Sequence, residues 1–203
     1  MEFYKQLQHE TQQEQEYLLS SPVIIQCMQG QVSMDSYIAF LTQAYHHVKH
    51  TVPLLMACGS RLPERLEWLR EAVAKYIEEE LGHQEWILND LQACGADKEK
   101  IRNSEPSFET ELMVSYVYDT IARKNPVGLF GMVNVLEGTS ITLATNAASI
   151  IQDKLNLDDD AFSYLNSHGS LDIKHIKFYE ELMNKLDHES SNRFCNLSKY
   201  KQT

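Results

Sequence analysis

The stretch PVGLFGMVNVLEGTSITLATNAASII, residues 126–151, decides the fold. Between Lys124 and Asp153 the only charged residue is Glu137. A helix that is apolar around most of its circumference is stable only when neighbouring helices cover it on several sides. The stretch therefore predicts a central helix with one carboxylate in its middle. That carboxylate is either a protonated or salt-bridged core group or a functional one.

The rest of the chain has the same helical character. Apolar residues recur at intervals of three and four, without the alternation of strands. With 203 residues, 43% of them hydrophobic, the chain can bury a sizeable core. We predict an all-α fold, with a single domain at residues 1–187 and a polar C-terminal tail at 188–203. The helices are expected at residues 2–19, 22–29, 34–58, 64–94, 107–123, 126–153, 159–167 and 169–186.

Composition excludes several classes of function. The net charge of -11 argues against nucleic acid and anionic membranes as partners. The sequence has no apolar run long enough to span a membrane, and its polar N-terminus does not resemble a signal peptide. The four cysteines show no C-x-x-C pairing, which is typical of reduced thiols. We therefore expect a cytoplasmic protein.

A second polar site is expected in the helix predicted at 64–94. Continuing its apolar stripe through the gap between Tyr76 and Ile87 reaches Glu80 and His83. Glu79 is one position off the stripe and is the alternative to Glu80. Burying an isolated carboxylate is costly, so the position requires a charged partner, a proton or a metal ion.

The third polar site is HGSLDIKH, residues 168–175. His168, Asp172 and His175 stand at i, i+4 and i+7, close to one line along a helix. Together the three sites offer three carboxylates and three imidazoles. Helix bundles bind pairs of iron or manganese ions with such groups, and the lack of a thiolate disfavours structural zinc. The alternative is that all six are ordinary core residues.

These residues resemble the heme-oxygenase-like diiron oxidases and oxygenases, a family that shares its fold with heme oxygenase, the thiaminase TenA and the PQQ-synthesis protein PqqC. The family pattern is a Glu and a His on one core helix, a later Glu, and then H-x3-D-x2-H. The resemblance covers roughly residues 10–187. It implies a heme-oxygenase-like helical bundle and six metal ligands, which are Glu80, His83, Glu137, His168, Asp172 and His175.

The resemblance also implies a function. Two Fe2+ ions, or Mn2+, would react with dioxygen to oxidise a small organic substrate in a helix-lined pocket, in a protein that we expect to be a homodimer. Glu137 and Tyr76 are the candidate catalytic residues. We expect no heme, because His9 lies in a Gln-rich polar setting unlike that of a heme-ligating histidine. Thiaminase activity is disfavoured because residues 126–153 contain no cysteine.

The chain departs from the family after the H-x3-D-x2-H helix. Members continue into another amphipathic helix, whereas this chain has only its polar tail, so the pocket is expected to be open or covered by a partner subunit. Two other functions therefore stay open, a non-catalytic helical adaptor or regulator and a cofactor-independent enzyme like PqqC. His46, His47 and His50 flank an apolar stripe and are expected at the surface or the pocket rim.

Overall fold

The structure, a computed structural model, describes residues 2–186, apart from the side chains of residues 137, 140–142 and 168–175. The regular structure of this part of the chain is helical, which confirms the predicted all-α fold. The end of the predicted domain and the polar tail at 188–203 lie outside the described residues. The helices are α1 (Phe3–Glu10), α2 (Gln12–Leu19), α3 (Pro22–Met28), α4 (Met34–Val48), α5 (Thr51–Arg61), α6 (Glu67–Glu80), α7 (His83–Ala93), α8 (Lys98–Arg102), α9 (Phe108–Asp119), α10 (Leu129–Leu155) and α11 (Ser163–Asn184).

Four of the predicted helices have wrong boundaries. The helix predicted at 2–19 is divided between α1 and α2, because the backbone of Thr11, with φ -107° and ψ 4°, departs from helical geometry. The helix predicted at 34–58 is divided between α4 and α5, because Pro53 lacks an amide hydrogen and its ring would clash with the carbonyl of Lys49 in a continuous helix. The helix predicted at 64–94 is interrupted at Gly82, whose φ of 93° is incompatible with an α-helix. The predicted separation between residues 167 and 169 is absent, since the backbone of α11 continues through both.

The central helix predicted from residues 126–151 is α10, which contacts two hydrophobic clusters. The first core joins α1, α5 and α6 to the beginning of α10 and the end of α11, with Phe130 and Tyr179 fully buried in it. The second core joins α4 and α7 to the later part of α10 and the beginning of α11, with Tyr37 and Phe162 fully buried. α10 packs most extensively against α11. The two helices therefore form a common wall that connects the cores.

The junction between α6 and α7 lies where the two cores meet. Tyr76, one turn before the end of α6, belongs to the first core, and Ile87 in α7 belongs to the second. The fold thus brings Glu80 and His83 to the boundary between the cores. Within residues 2–186, no helix combines the length and apolar character needed to cross a membrane.

Candidate metal centre and adjoining cavity

Glu80 and His83 meet at the break between α6 and α7. Glu80 is the last residue of α6 and is 9% exposed, and His83 is the first residue of α7 and is 2% exposed. The Nδ1 atom of His83 lies 3.0 Å from Oε2 of Glu80. Leu81 is extended and Gly82 is left-handed, so the helix is interrupted between Glu80 and His83 while their side chains remain in contact.

Glu80 and His83 present a carboxylate and an imidazole beside the N-terminus of α7. The first turn of α7 begins at His83, and the amide groups at a helix N-terminus carry partial positive charge. A histidine whose Nδ1 faces a carboxylate has Nε2 on the other side of its ring, and either nitrogen of a neutral imidazole can bind a metal. Carboxylate–imidazole contacts of this kind are common around protein-bound metals. The donor set at this junction therefore fits a divalent first-row ion.

The structure distinguishes among the three consecutive glutamates at the end of α6. Glu78 and Glu79 are exposed, whereas Glu80 is buried. This difference favours Glu80 over Glu79 as the first metal ligand. The assignment of the metal itself stays a prediction.

Aromatic side chains surround the junction. The ring of Trp86 stacks on that of His83, with the centroids 4.1 Å apart. Tyr76, one turn before Glu80 on α6, is 2% exposed and packs against Phe130 and Phe178, with centroid distances of 6.2 and 5.5 Å. These contacts fix both rings in place. A catalytic role for Tyr76 stays a prediction.

The other four predicted ligands cannot be placed in the same way. The side chains of Glu137, His168, Asp172 and His175 lie outside the described residues, although their backbones belong to α10 and α11. Among the side chains that are described, the His, Cys, Asp and Glu residues form no group of three that could hold a metal ion. The convergence of all six residues therefore stays a prediction.

A large cavity of about 940 Å³ adjoins Glu80. One face of α10 forms a long side of it, and α3 and α4 lie opposite. The described lining is mostly aliphatic and aromatic, and its only charged groups are Glu80 and Lys154. The α10 residues that line it are Met132, Val133, Leu136, Thr139, Leu143, Ala144, Ala147, Ile151 and Lys154. An apolar cavity with few polar groups is typical of a small-molecule site.

The histidines at the end of α4 and the start of α5 differ in their positions. His47 lines the cavity, as expected for a residue at the pocket rim. The prediction for His46 is wrong, because it is buried and its Nε2 lies 3.0 Å from the Ser104 hydroxyl. His50 is partly buried, with Nδ1 3.2 Å from the Tyr118 hydroxyl. Burial lowers the pKa of both His46 and His50, with Lys49 adding to the effect, so both favour the neutral form.

Two features of this region are not evident from the sequence. The wall formed by α3 and α4 comes from residues far from Glu80 along the chain, and no local pattern marks it. Asp90 is fully buried in α7. The sequence contains a sign of this burial. Asp90 lies seven residues after His83 and next to the apolar stripe of Ile87 and Leu91, so the stripe that predicts a buried His83 also predicts a buried Asp90.

The sequence was compared with protein families and solved structures. A family model described as "iron-containing redox enzyme" matches residues 38–195, more than half of the chain. No curated protein matches the sequence. The similar solved structures include a domain of unknown function with a heme oxygenase-like fold from Shewanella denitrificans OS217. It is 23% identical, with a TM-score of 0.85, and the match covers 100% of this chain and 88% of that chain.

Two further solved structures are TenA homologues. The one from Pseudomonas syringae pv. tomato DC3000 is 12% identical, with a TM-score of 0.81 and coverage of 98% of this chain and 88% of that chain. The one from P. horikoshii OT3 is 13% identical, with a TM-score of 0.78 and coverage of 100% and 95%. These similarities confirm the predicted heme-oxygenase-like, TenA-like fold.

Proposed function

Because the chain belongs to the family of iron-containing redox enzymes, we propose that it is a non-heme iron oxidoreductase that oxidises a small organic substrate with dioxygen. The observation that carries the proposal is the buried contact between Glu80 and His83 at the edge of a large apolar cavity. A metal-binding pair beside a substrate-sized space supplies both components that such a reaction needs.

Two Fe2+ ions are proposed, with Mn2+ as the alternative metal. Glu80 and His83 would contribute a carboxylate and an imidazole, and the remaining ligands proposed from the sequence are Glu137, His168, Asp172 and His175. When bound there, ferrous iron would supply part of the electrons for the reduction of dioxygen, and the substrate that is oxidised would supply the others. The mixture of oxygen and nitrogen donors, without a thiolate, suits iron and manganese.

The chain's own residues would bind the substrate and control access to the site. The aliphatic lining contributed by α10 favours a substrate with a hydrophobic part, because burial of apolar surface drives its binding. Trp86 restricts the orientation of the His83 ring by stacking on it. We propose that Tyr76, fixed one turn from Glu80, takes part in the reaction.

Anaerobic titration with Fe2+ tests the metal site directly. Trp86 contacts the imidazole of His83, so binding of Fe2+ at this residue should quench its fluorescence. The only other tryptophan, Trp68, packs against the first core and has Lys185 over its ring, which makes Trp68→Phe a matched change. We expect Trp68→Phe to retain the quenching and Trp86→Phe to lose it. Elemental analysis of the loaded protein should give two irons per chain.

Oxygen consumption by the iron-loaded protein then tests the reaction, with a panel of organic acids and amines that differ in their apolar parts. Turnover that depends on both iron and one substrate would support an oxygenase or oxidase. Substrate conversion by the metal-free protein would instead favour a cofactor-independent enzyme. Failure to bind Fe2+, with no conversion of any substrate, would contradict the proposal and favour an adaptor or regulator.

A further inference from the structure

Asp90 of α7 is a fully buried carboxylate outside the predicted ligand set. It accepts hydrogen bonds from three groups at the beginning of α11. The amide of Ser163 donates to Oδ1 at 3.1 Å, the amide of Tyr164 donates to Oδ2 at 2.9 Å, and the Ser163 hydroxyl donates to Oδ1. Both carboxylate oxygens are therefore bound to the same turn of another helix.

These bonds supply the cap that α11 lacks in its own sequence. The residue before the helix, where Ser, Thr, Asp or Asn would ordinarily accept hydrogen bonds from the first amides, is Phe162. Phe162 has no polar side chain, and its ring is buried against Tyr37, 5.4 Å away between centroids. Asp90 takes over the capping function from α7, and its negative charge also complements the partial positive charge of the helix N-terminus.

The two contacts of Asp90 restrain α11 in two ways. Because each oxygen binds the amide of a different, successive residue, the pair of bonds fixes both the rotation of α11 about its axis and its position along that axis. The Tyr37 hydroxyl also donates to the carbonyl of Ala161 at 2.8 Å, which holds the preceding chain against α4. The beginning of α11 is thus anchored to two helices of the second core.

The anchored helix carries three of the predicted ligands, and the anchoring helix carries a fourth. His168, Asp172 and His175 follow Ser163 by five, nine and twelve residues on α11, and His83 precedes Asp90 by seven residues, two turns, on α7. We propose that Asp90 is a positioning residue for the metal centre, which sets the register of α11 relative to His83. This inference rests on the proposed metal-binding function.

Asp90→Asn tests the inference, because the side chain keeps nearly the same size and shape. The amide can replace one oxygen as an acceptor, but its NH2 group faces the Tyr164 amide, so one of the two anchoring bonds is lost. We expect Co2+, used as the probe ion, to bind about 10-fold more weakly and to give an altered visible absorption spectrum, an effect like that of other outer groups that orient metal ligands. In the metal-free protein, amide hydrogen exchange should accelerate at the start of α11.

Two variants serve as controls. Asp97 caps α8 by accepting hydrogen bonds from the amides of Glu99 and Lys100, both at 3.0 Å, so Asp97→Asn removes a similar cap from a helix without predicted ligands. Val117→Ala creates a small cavity in α9, which packs mainly against α4 and α5, and controls for general destabilisation. At a temperature where all variants are folded, both should bind Co2+ like the parent protein and give its spectrum.

The outcomes separate this inference from the proposed function. If the parent protein binds Co2+ and Asp90→Asn binds it with the same affinity and spectrum, the positioning role is wrong and the metal site stands. An equal loss of affinity in Val117→Ala would also overturn the inference, because it would show that any destabilisation weakens the site. If the parent protein binds neither Co2+ nor Fe2+, both the proposed function and the inference fail.

Discussion

Two buried acids on either side of the first turns of α7 lie in different environments. Glu80, the last residue of α6, contacts the imidazole of His83 at the beginning of α7 and borders the apolar cavity. Two turns further on, Asp90 accepts hydrogen bonds from α11 with both of its oxygens. Burial is therefore a property of structural and candidate functional acids alike. The nature of the contacting groups, and the presence or absence of an adjoining space, distinguishes one from the other.

The difference has an energetic consequence. Removing an acid that satisfies buried amide donors leaves those donors without a partner, which costs about 1–3 kcal/mol for each. Removing an acid whose charge is balanced chiefly by a metal costs the metal-free protein little, since burial of the charge was itself unfavourable. Substitution of Asp90 should therefore lower mainly the stability of the metal-free protein, whereas substitution of Glu80 should lower mainly the affinity for metal.

Glu137→Ala should give the largest effect on iron binding and assigns this residue to one of the two classes. If Glu137 is a metal ligand, the variant should lose Fe2+ uptake and oxygen-dependent turnover while its metal-free form melts at or above the parent temperature. Calorimetry and anaerobic Fe2+ titration measure the two properties. A loss of a few kcal/mol in stability with unchanged uptake would instead place Glu137 with Asp90 as a structural acid.

Glu80→Gln tests the candidate functional acid at the junction of α6 and α7. The neutral amide removes the negative charge opposite His83, and Fe2+ affinity should fall by more than about 100-fold, beyond the effect usual for groups outside the metal's ligand set. The adjacent, exposed Glu79 offers a matched control, and Glu79→Gln should leave affinity unchanged. Fluorescence titration through Trp86 gives both values. A larger effect at Glu79 would reassign the ligand.

Asp90→Ala tests the structural role of the buried acid in α7. Loss of the carboxylate leaves the buried amides of Ser163 and Tyr164 without their acceptor, so the free energy of unfolding of the metal-free protein should fall by about 3 kcal/mol. The melting temperature should fall by about 6–12 °C. Asp97→Ala, which removes an exposed cap, should cause a much smaller loss. Equal losses in the two variants would show that Asp90 contributes no more than an ordinary cap.

Asp90 should also make the stability of the protein depend on pH, and this effect should be smaller than the loss expected for Asp90→Ala. Burial raises the pKa of Asp90, and Asp160 adds to the increase, although the donors of Ser163 and Tyr164 partly offset it. A folded-state pKa above the unfolded value of about 3.9 means that the folded protein retains the proton longer. This contribution to stability is complete below that pH and is lost as pH rises through the folded-state pKa.

Urea unfolding of the parent protein and Asp90→Asn between pH 3.5 and roughly 7 isolates that contribution. The stability of the parent relative to the variant should decline as the pH rises from about 4. A relative stability that increases with pH over this interval would show that the hydrogen bonds to Asp90 outweigh the effect of its burial.

The sequence predicts the fold well because the decisive signal is local. An almost uncharged stretch at residues 126–151 requires helices around it, and α10 indeed contributes to both cores, together with α11. The pairing of Glu80 with His83 is also predicted, but from a continuous helix that does not exist. The contact survives because the turn at Gly82 keeps the two side chains together where α6 and α7 meet.

Other parts of the site depend on contacts that the sequence pattern does not contain. The partner of Asp90 is Ser163, 73 residues away, so only the folded chain shows which donors satisfy the buried acid. The cavity likewise results from the spacing between α10 and the α3–α4 segment. His46 is buried because Ser104, distant in sequence, supplies a hydroxyl partner. Periodicity indicates which side of a helix is buried, whereas the identity of its neighbours depends on tertiary packing.

The turn at Gly82 has a consequence for the chirality of the backbone. A methyl group placed on its Cα would meet no atom within 4 Å, so the position has ample room for a side chain. Its positive φ nevertheless disfavours every L-amino acid, at a cost of roughly 1–2 kcal/mol. A mirror-image residue such as D-alanine would be accommodated without strain. The backbone geometry that separates Glu80 from His83 thus depends on the handedness of one residue rather than on the space around it.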